Sequence, residues 1–258
     1  MQLTGKVAIV TGGGRGIGRA IARLFAAEGA SVVVASRTAA EGEETVRLIR
    51  EAGGEARFIP TDVASDTQVR DLVTQTVHTY GRLDVMVNNA GIGGAGKPLA
   101  ATSEAEWDEV IDTNLKGTYL GMHYAIPHLK AAGGGAIVNF SSVLAHQALP
   151  GGSAYTATKA AIIGLTKAVA LEVGRDNIRV NCILPGSTDT PMLWEGLTAA
   201  ERVEVEPAVA AAAPLNKVGQ PEEIARVALF LASDASSFMT GAPVLVDGGL
   251  LTRISAVR

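Results

Sequence analysis

A tyrosine and a lysine stand one helical turn apart in the stretch "SAYTATK", residues 153–159. Positions i and i+4 of a helix share a face, so the phenol of Tyr155 and the ammonium of Lys159 would point into the same space. A tyrosine titrates near pH ~10 and is a poor base at neutrality, but a neighbouring ammonium favours the phenolate. The pair could therefore exchange a proton with a substrate oxygen. The alternative is a core tyrosine beside a solvated lysine.

The elements that must position this pair are visible in the hydropathy pattern. Short runs rich in Val, Ile and Ala are apolar on both faces, which is typical of parallel strands covered by helices. These runs predict strands at 6–12, 30–36, 56–63, 83–91, 136–142, 178–186 and 243–249. Amphipathic stretches between them predict helices at 16–28, 39–52, 66–79, 103–131, 155–173 and 221–233.

The alternation of strands and helices predicts right-handed crossovers and a doubly wound α/β sheet of about seven strands. A closed eight-stranded barrel is the alternative. No linker or low-complexity tract divides residues 1–258, so we expect a single domain. Glycines follow four of the helical stretches and are expected to end them in a left-handed conformation: Gly29, Gly53, Gly81 and Gly174.

Composition excludes several classes of protein. A net charge of -4 offers no basic surface for nucleic acid. Cys182, the single cysteine, lies in an apolar run and is expected to be a reduced, inert thiol. No signal peptide or membrane span is evident, so we expect a cytoplasmic protein. The histidines show no metal-ligand spacing, and no metal is expected: His78, His123, His128 and His146.

The turn "TGGGRGIG", residues 11–18, joins the first predicted strand to the first helix. Its glycines allow a close backbone approach, and the helix N-terminus attracts a pyrophosphate, which predicts a dinucleotide site. The spacing of Gly12, Gly16 and Gly18 is GxxxGxG rather than GxGxxG, and no Gly-Lys-Ser/Thr follows as in a P-loop.

The end of the second strand indicates which dinucleotide binds. A carboxylate there would bind the ribose of NAD, whereas a basic residue would pair with the extra phosphate of NADP. The strand ends in Ser36 and Arg37, with no acid before Glu41, and Arg15 could converge on the same phosphate. This pattern favours NADP(H) over NAD(H). The alternative is that both arginines are solvated or stack on adenine.

With these motifs in order, residues from about 5 to 249 resemble the short-chain dehydrogenase/reductase family. The resemblance is carried by "TGGGRGIG", by "DV" at 62–63, by "NNAG" at 88–91 and by "YTATK" as its YxxxK motif. It implies a Rossmann-type fold and hydride transfer between a nicotinamide cofactor and a carbonyl or secondary alcohol.

The resemblance also implies a catalytic set of Asn114, Ser142, Tyr155 and Lys159, with Ser141 as the less favoured serine. Tyr155 would be the general acid/base and Ser142 would hydrogen-bond the substrate oxygen. Lys159 would bind the nicotinamide ribose as well as lower the pKa of Tyr155, and Asn114 would hold a water in a proton relay.

Cofactor contacts are implied for a longer set of positions. They are Gly12, Gly14, Arg15, Gly16, Ile17, Gly18, Ser36, Arg37, Asp62, Val63, Asn89, Ala90, Gly91, Tyr155, Lys159, Pro185, Gly186, Thr188 and Thr190. Thr188 departs from the family pattern, where a β-branched aliphatic residue is usual; the contact there is expected through the backbone.

Residues 189–216 are expected to form a substrate lid, and "PAVAAAAP" at 207–214 a short helix within it. Met192 and Trp194 are candidates for an apolar pocket wall, or else they only anchor the lid. Leu144 and His146, in the loop between Ser142 and Tyr155, are further candidates for substrate contact.

The leading interpretation is an NADP(H)-dependent ketone reductase or alcohol dehydrogenase acting on a small apolar substrate. Three alternatives stay open: a 3-oxoacyl-[acyl carrier protein] reductase, an NAD-dependent secondary alcohol dehydrogenase, and a non-catalytic dinucleotide-binding regulator. The resemblance further implies a homo-oligomer, expected to be a tetramer.

Overall fold

A parallel sheet of seven strands, in the order β3-β2-β1-β4-β5-β6-β7, forms the centre of the molecule. A computed structural model describes residues 1–252. The strands are β1 (Val7–Thr11), β2 (Ser31–Ser36), β3 (Glu55–Pro60), β4 (Val85–Asn88), β5 (Gly135–Phe140), β6 (Ile178–Pro185) and β7 (Pro243–Val246). The order runs outward in both directions from β1 and β4, so the sheet is open and the barrel alternative is wrong. In such sheets ligands bind beyond the carboxyl ends of the strands, at this point of reversal.

Helices cover both faces of the sheet. Within residues 1–252 they are α1 (Gly16–Ala27), α2 (Ala39–Glu51), α3 (Asp66–Tyr80), α4 (Glu104–Val110), α5 (Gly117–Ala131), α6 (Ser153–Val173), α7 (Ala199–Ala212) and α8 (Pro221–Ala232). None of these helices has the length and hydropathy that crossing a membrane requires. The predicted doubly wound fold is therefore confirmed.

Alternation along each central strand divides the core in two. Val10 on β1 packs on the face covered by α1 and α8, where Phe25 is fully buried. Its neighbour Ile9 points to the opposite face, which α3, α5 and α6 cover with side chains such as Leu72 and Leu129. Both faces of the central strands are thus packed, and only their carboxyl ends remain open for a ligand.

Two expectations about helix ends need correction. Gly29, Gly53 and Gly81 do adopt positive φ values of 89°, 83° and 77° after their helices, as predicted. Gly174 does not: its φ is -61°, because α6 continues into a short 3₁₀ turn. Asn177 takes the left-handed conformation instead, with a φ of 59°, which asparagine tolerates better than most residues.

The stretch predicted as one helix at 103–131 is α4 and α5, joined by a π-helical turn at Ile111–Lys116. The segment 189–216, predicted to be a substrate lid, also differs from expectation in its secondary structure. Its helix α7 spans Ala199–Ala212 rather than lying within 207–214. It starts earlier because Thr198 and Glu201 form a capping box at its N-terminus, and Pro207 is accommodated inside it.

Candidate active site

Lys159 lies at the carboxyl end of β5, where the first turns of α6 cross it. The residue is 4% exposed. Its Nζ donates a hydrogen bond to the carbonyl oxygen of Phe140 at 2.9 Å, and its own carbonyl accepts one from the Ser141 hydroxyl at 2.7 Å. The end of β5 therefore holds Lys159 through both its side chain and its main chain. Its Nζ lies 5.4 Å from the centre of the Tyr155 ring.

Ser142, not Ser141, presents its hydroxyl to Tyr155. The Ser141 hydroxyl is engaged by the main chain of α6. The Ser142 hydroxyl accepts a hydrogen bond from the Leu144 N–H at 3.1 Å and also interacts with the Tyr155 phenol. Of the two neighbouring serines, the structure thus places the one expected from the family resemblance next to the tyrosine.

The electrostatics of the pair differ from the sequence-based expectation. Burial raises the pKa of Tyr155 above its ordinary value, and the hydrogen bond with Ser142 opposes this only in part. Burial also lowers the pKa of Lys159, to about 8. The Lys159 ammonium does not lower the pKa of Tyr155 here, since it donates to the Phe140 carbonyl and desolvation dominates at both groups. Tyr155 is consequently protonated at neutral pH and suited to donate a proton.

Asn114 is fully buried in the π-helical turn between α4 and α5. Its amide donates to the Ile92 carbonyl at 3.0 Å and its side-chain oxygen accepts from the Ile92 N–H at 2.9 Å. A Cβ added at Gly91 would lie 3.3 Å from this oxygen and 3.5 Å from the Lys159 Nζ. The side chains of Asn114 and Lys159 therefore converge on Gly91. Such π turns are frequent at functional sites.

The glycine turn before α1 has the features that a pyrophosphate requires. Gly12 and Gly16 have positive φ values of 65° and 52°. A Cβ at Gly18 would overlap the Gly12 carbonyl oxygen, which explains the glycine there. α1 begins without a side-chain N-cap and without an acid in its first turn, whereas Thr198 caps α7. The turn and the helix N-terminus thus fit a bound dinucleotide phosphate.

Arg19 and Thr45 brace this turn, and sequence analysis did not identify them. Arg19 donates to the Gly14 carbonyl and, at 3.0 Å, to the Thr45 hydroxyl. Thr45 is fully buried and also lies within hydrogen-bonding distance of the Gly14 carbonyl, at 3.2 Å. The sequence does contain one indication of this role: Arg19 is a charged residue in the first turn of an otherwise largely apolar helix. Because both residues hold the Gly14 carbonyl, the orientation of the turn's peptide groups is restricted.

The adenosine end of the site carries charges of both signs. A Cβ added at Gly14 would lie 3.0 Å from the Ser36 hydroxyl oxygen and 3.0 Å from the Glu41 Cβ. Arg15 pairs with Glu41 at 3.7 Å, and both side chains are partly exposed. Within residues 1–252 the exposed guanidinium of Arg37 has no hydrogen-bond or ion-pair partner. Arg37 is therefore the cation available to a ligand here.

The loops after β3 and β4 line the middle of the site. The Asp62 carboxylate accepts from the Ala64 N–H at 3.0 Å, and Val63 is buried. The N–H groups of Asn89 and Ala90 both donate to the Thr11 hydroxyl, at 3.1 and 3.2 Å. These bonds tie the ends of β1 and β4 together, at the point from which the strand order runs outward in both directions.

The segment after β6 forms the opposite end of the site. The Gly186 N–H, directly after Pro185, donates to the Val246 carbonyl at 2.9 Å. Thr188 is buried and its hydroxyl donates to the Gly186 carbonyl at 3.0 Å. A Cβ at Gly16 would lie 3.3 Å from the Thr190 methyl group, so this segment reaches the glycine turn.

The residues suggested for substrate contact have different environments. Trp194 is 8% exposed, and its indole N–H donates to Asp189 at 2.7 Å. Met192 is 39% exposed, Leu144 is half-buried and His146 is exposed. The placement of Trp194 favours the interpretation that it anchors the lid, while substrate contact stays a prediction for all four. No group of His, Cys, Asp and Glu suited to a metal ion occurs in the described part of the chain.

Comparison with known proteins places this site in a family. Residues 12–251 match the family model described as "Enoyl-(Acyl carrier protein) reductase". The chain is 45% identical to a 3-oxoacyl-[acyl-carrier-protein] reductase from Chlamydia muridarum (strain MoPn / Nigg), over 96% of this chain and 98% of the relative. It is 42% identical to cis-4-hydroxycyclohexanecarboxylate dehydrogenase from Sinomonas cyclohexanicum, over 95% and 96% of the two chains.

A solved structure agrees with these relatives. The crystal structure of levodione reductase superposes with a TM-score of 0.93 at 34% identity, over 98% of this chain and 100% of that one. These relatives are dehydrogenases and reductases, which argues against the non-catalytic regulator. The chain belongs to the short-chain dehydrogenase/reductase family and is an NAD(P)-dependent oxidoreductase acting on CH–OH/C=O groups.

Proposed function

We propose that the protein is an NADP(H)-dependent carbonyl reductase and secondary alcohol dehydrogenase in which Tyr155 is the general acid/base. The observation that carries this proposal is the convergence of Asn114, Ser142, Tyr155 and Lys159 at the carboxyl ends of the strands. We call these four residues the active-site floor. Within it Tyr155 is protonated and interacts with the Ser142 hydroxyl.

A bound nicotinamide would supply the hydride in reduction and accept it in oxidation. Tyr155 donates its phenolic proton to the substrate carbonyl oxygen in reduction and takes it back in oxidation. Ser142 donates a hydrogen bond to the same oxygen and holds it in line with Tyr155. Lys159 and Asn114, which converge on Gly91, return a proton to Tyr155 through water. Asn114, Ser142 and Lys159 are buried and Tyr155 is half-buried, so bulk solvent has limited access to the proton transfer.

NADP(H) is the proposed cofactor because the adenosine end offers an unpaired cation. Arg37 is exposed at the end of β2 with its guanidinium free, in the position where an acid would indicate NAD. Arg15 is less available since it pairs with Glu41. Glu41 itself opposes phosphate binding, so the preference for NADP(H) depends on Arg37.

We propose a small apolar ketone or secondary alcohol as substrate. Met192 and Leu144 are apolar and not fully buried, and we propose them as substrate contacts. The 42% identity to a dehydrogenase of a hydroxycyclohexane carboxylate supports a cyclic substrate. The 45% identity to a 3-oxoacyl-[acyl-carrier-protein] reductase supports the second candidate, a 3-oxoacyl thioester.

A cytoplasmic homotetramer is the proposed form of the protein. The chain exposes large apolar side chains that a monomer would leave in water: Phe238 is fully exposed and Leu171 is 87% exposed. Sedimentation equilibrium on the purified protein tests the assembly, since a monomer at micromolar concentration would contradict it.

The test of function is cofactor consumption across simple ketones, cyclic ketones and a 3-oxoacyl thioester, with NADPH and NADH in parallel. We expect NADPH oxidation with a cyclic ketone, and a loss of about 10³-fold in kcat for Tyr155→Phe, which removes only the phenolic hydroxyl. Preference for the thioester would favour the second candidate. Activity with NADH alone would favour the NAD-dependent alternative. Full activity of Tyr155→Phe would contradict the mechanism.

A further inference from the structure

Asp189, Trp194 and Arg202 hold one another in a closed triangle outside the active-site floor. The Asp189 carboxylate accepts a hydrogen bond from the Trp194 indole N–H at 2.7 Å and pairs with the Arg202 guanidinium at 2.9 Å. The guanidinium in turn lies over the Trp194 ring, 4.6 Å from its centre. Each side chain thus contacts both others, and we call the three residues the lid latch.

The latch joins two parts of the molecule that little else connects. Asp189 directly precedes Thr190, which reaches the glycine turn, whereas Arg202 lies in the first turn of α7, the helix of the lid. α7 has no buried residue, so apolar packing contributes little to its position.

The other end of the lid is attached separately. Leu215 donates its N–H to the Gly248 carbonyl at 3.1 Å, and Pro214 packs against Gly249. The lid helix is therefore supported at its C-terminal end by the segment after β7. At its N-terminal end the support comes from the latch.

We infer that Asp189, Trp194 and Arg202 are positioning residues that keep the lid over the substrate site and thereby determine the apparent affinity for the carbonyl substrate. The inference rests on the proposed function. Within residues 1–252 no hydrogen bond, ion pair or ring contact joins the latch to the floor, so it takes no part in hydride or proton transfer. When only a fraction of the protein has the lid in place, the apparent dissociation constant rises by the reciprocal of that fraction. Loss of the latch lowers this fraction and leaves the chemical step intact.

Steady-state kinetics at saturating NADPH test this role in Asp189→Asn, Arg202→Met and Trp194→Phe. We expect KM for the ketone to rise about tenfold for the first two, with kcat within about twofold of wild type. Trp194→Phe removes the indole donor and part of the ring beneath Arg202 but keeps an aromatic face, and it should have a smaller effect. Arg202→Lys keeps the charge but not the planar stacking and should restore part of the affinity.

Glu206→Gln is the matched control. Glu206 pairs with Arg202 within α7 at 3.3 Å but does not contact Asp189 or Trp194. Its replacement removes one charge from the same helix and should leave KM within about twofold of wild type. A rise in KM equal to that of Arg202→Met would overturn the inference, as would a fall in kcat with KM unchanged.

Hydrogen–deuterium exchange of residues 199–212 gives a readout that does not depend on turnover. Exchange should be faster in Arg202→Met than in wild type and unchanged in Glu206→Gln. Unchanged exchange in Arg202→Met would show that the latch does not hold the lid. Faster exchange with unaltered KM would overturn the role in substrate affinity. If the protein turns over no carbonyl compound, the proposed function fails. The exchange data would still decide whether the latch holds residues 199–212 in place.

Discussion

Lys159 in the active-site floor is 4% exposed and is held at both its side chain and its main chain by β5. Arg37, by contrast, is exposed, and Met192 in the lid is 39% exposed. We use the term rim for the segment 36–41 together with the lid at 189–216. Asn114, Ser142 and Lys159 of the floor are buried and hydrogen-bonded, whereas most of the rim is partly solvated, Trp194 being an exception.

We expect this difference to divide the work between the two regions: the floor would carry out the reaction, and the rim would select the cofactor and substrate. Burial is what raises the pKa of Tyr155 and lowers that of Lys159, so the reactivity of the floor depends on the surrounding core. The rim contributes little to the core, so its residues can change with little loss of stability. Changes in the floor should therefore reduce kcat, and changes in the rim should alter which cofactor and substrate bind.

The largest expected effect comes from replacing, one at a time, the two serines that follow β5. Ser142→Ala removes the hydrogen bond to the substrate oxygen and should lower kcat by about 10²–10³-fold. Ser141→Ala is the matched control, because its hydroxyl bonds only to the Lys159 carbonyl. It should lower the unfolding free energy by about 1 kcal/mol and reduce kcat by less than about tenfold. Single-turnover rates measure the chemical step and thermal unfolding measures the stability of each variant. Equal losses of kcat in the two variants would contradict the role given to Ser142.

A smaller effect is expected at the adenosine side of the rim. Arg37→Ser should lower kcat/KM with NADPH by about 10–30-fold and leave the value with NADH within about twofold, because only NADP(H) carries the extra phosphate. Arg15→Ser should have a weaker effect, since Arg15 is already paired with Glu41. Equal sensitivity of both cofactors to the change at Arg37 would contradict its role.

Glu41→Gln extends this test of the rim. Removing the negative charge should raise kcat/KM with NADPH a few-fold, because it frees Arg15 and removes repulsion of the phosphate. The gain should diminish at high ionic strength. A gain of equal size with NADH would show that Glu41 does not act on the phosphate.

A further effect is expected from the pH dependence of the floor. Lys159, with a pKa of about 8, loses its ammonium charge as pH rises through that value. Tyr155, whose pKa is raised by burial, keeps its proton over this range. Reductive kcat at saturating substrates should therefore fall by up to about tenfold between pH 7 and 9. The residual activity of Lys159→Arg should lack this transition, because arginine does not titrate there. A flat wild-type profile would contradict a role for the ammonium.

Sequence patterns identified most strands and helices of this fold because their signals are local. The α1 and α2 boundaries differ by a single residue from prediction, since glycines end both helices. Patterns failed where the local signal was ambiguous. The π-helical turn at Ile111–Lys116 has the same apolar spacing as the helices around it, and the capping box at Thr198 was not considered.

For the site, sequence analysis identified residues but not their electrostatic state. It predicted that Lys159 would lower the pKa of Tyr155, whereas burial has the larger effect at both groups. It also missed Arg19 and Thr45, because the contacts of Thr45 with Arg19 and with the Gly14 carbonyl join the glycine turn to a distant segment, α2.

By itself the sequence determined the order of strands and helices, the glycine turn and the shared face of Tyr155 and Lys159, since these depend on neighbours within a few positions. The resemblance already favoured Ser142 over Ser141. Only the tertiary structure decided how the pKa values of Tyr155 and Lys159 shift, and that Asp189, Trp194 and Arg202 contact one another. Burial and long-range contacts arise when distant segments pack together, and a pattern along the chain does not contain those distances.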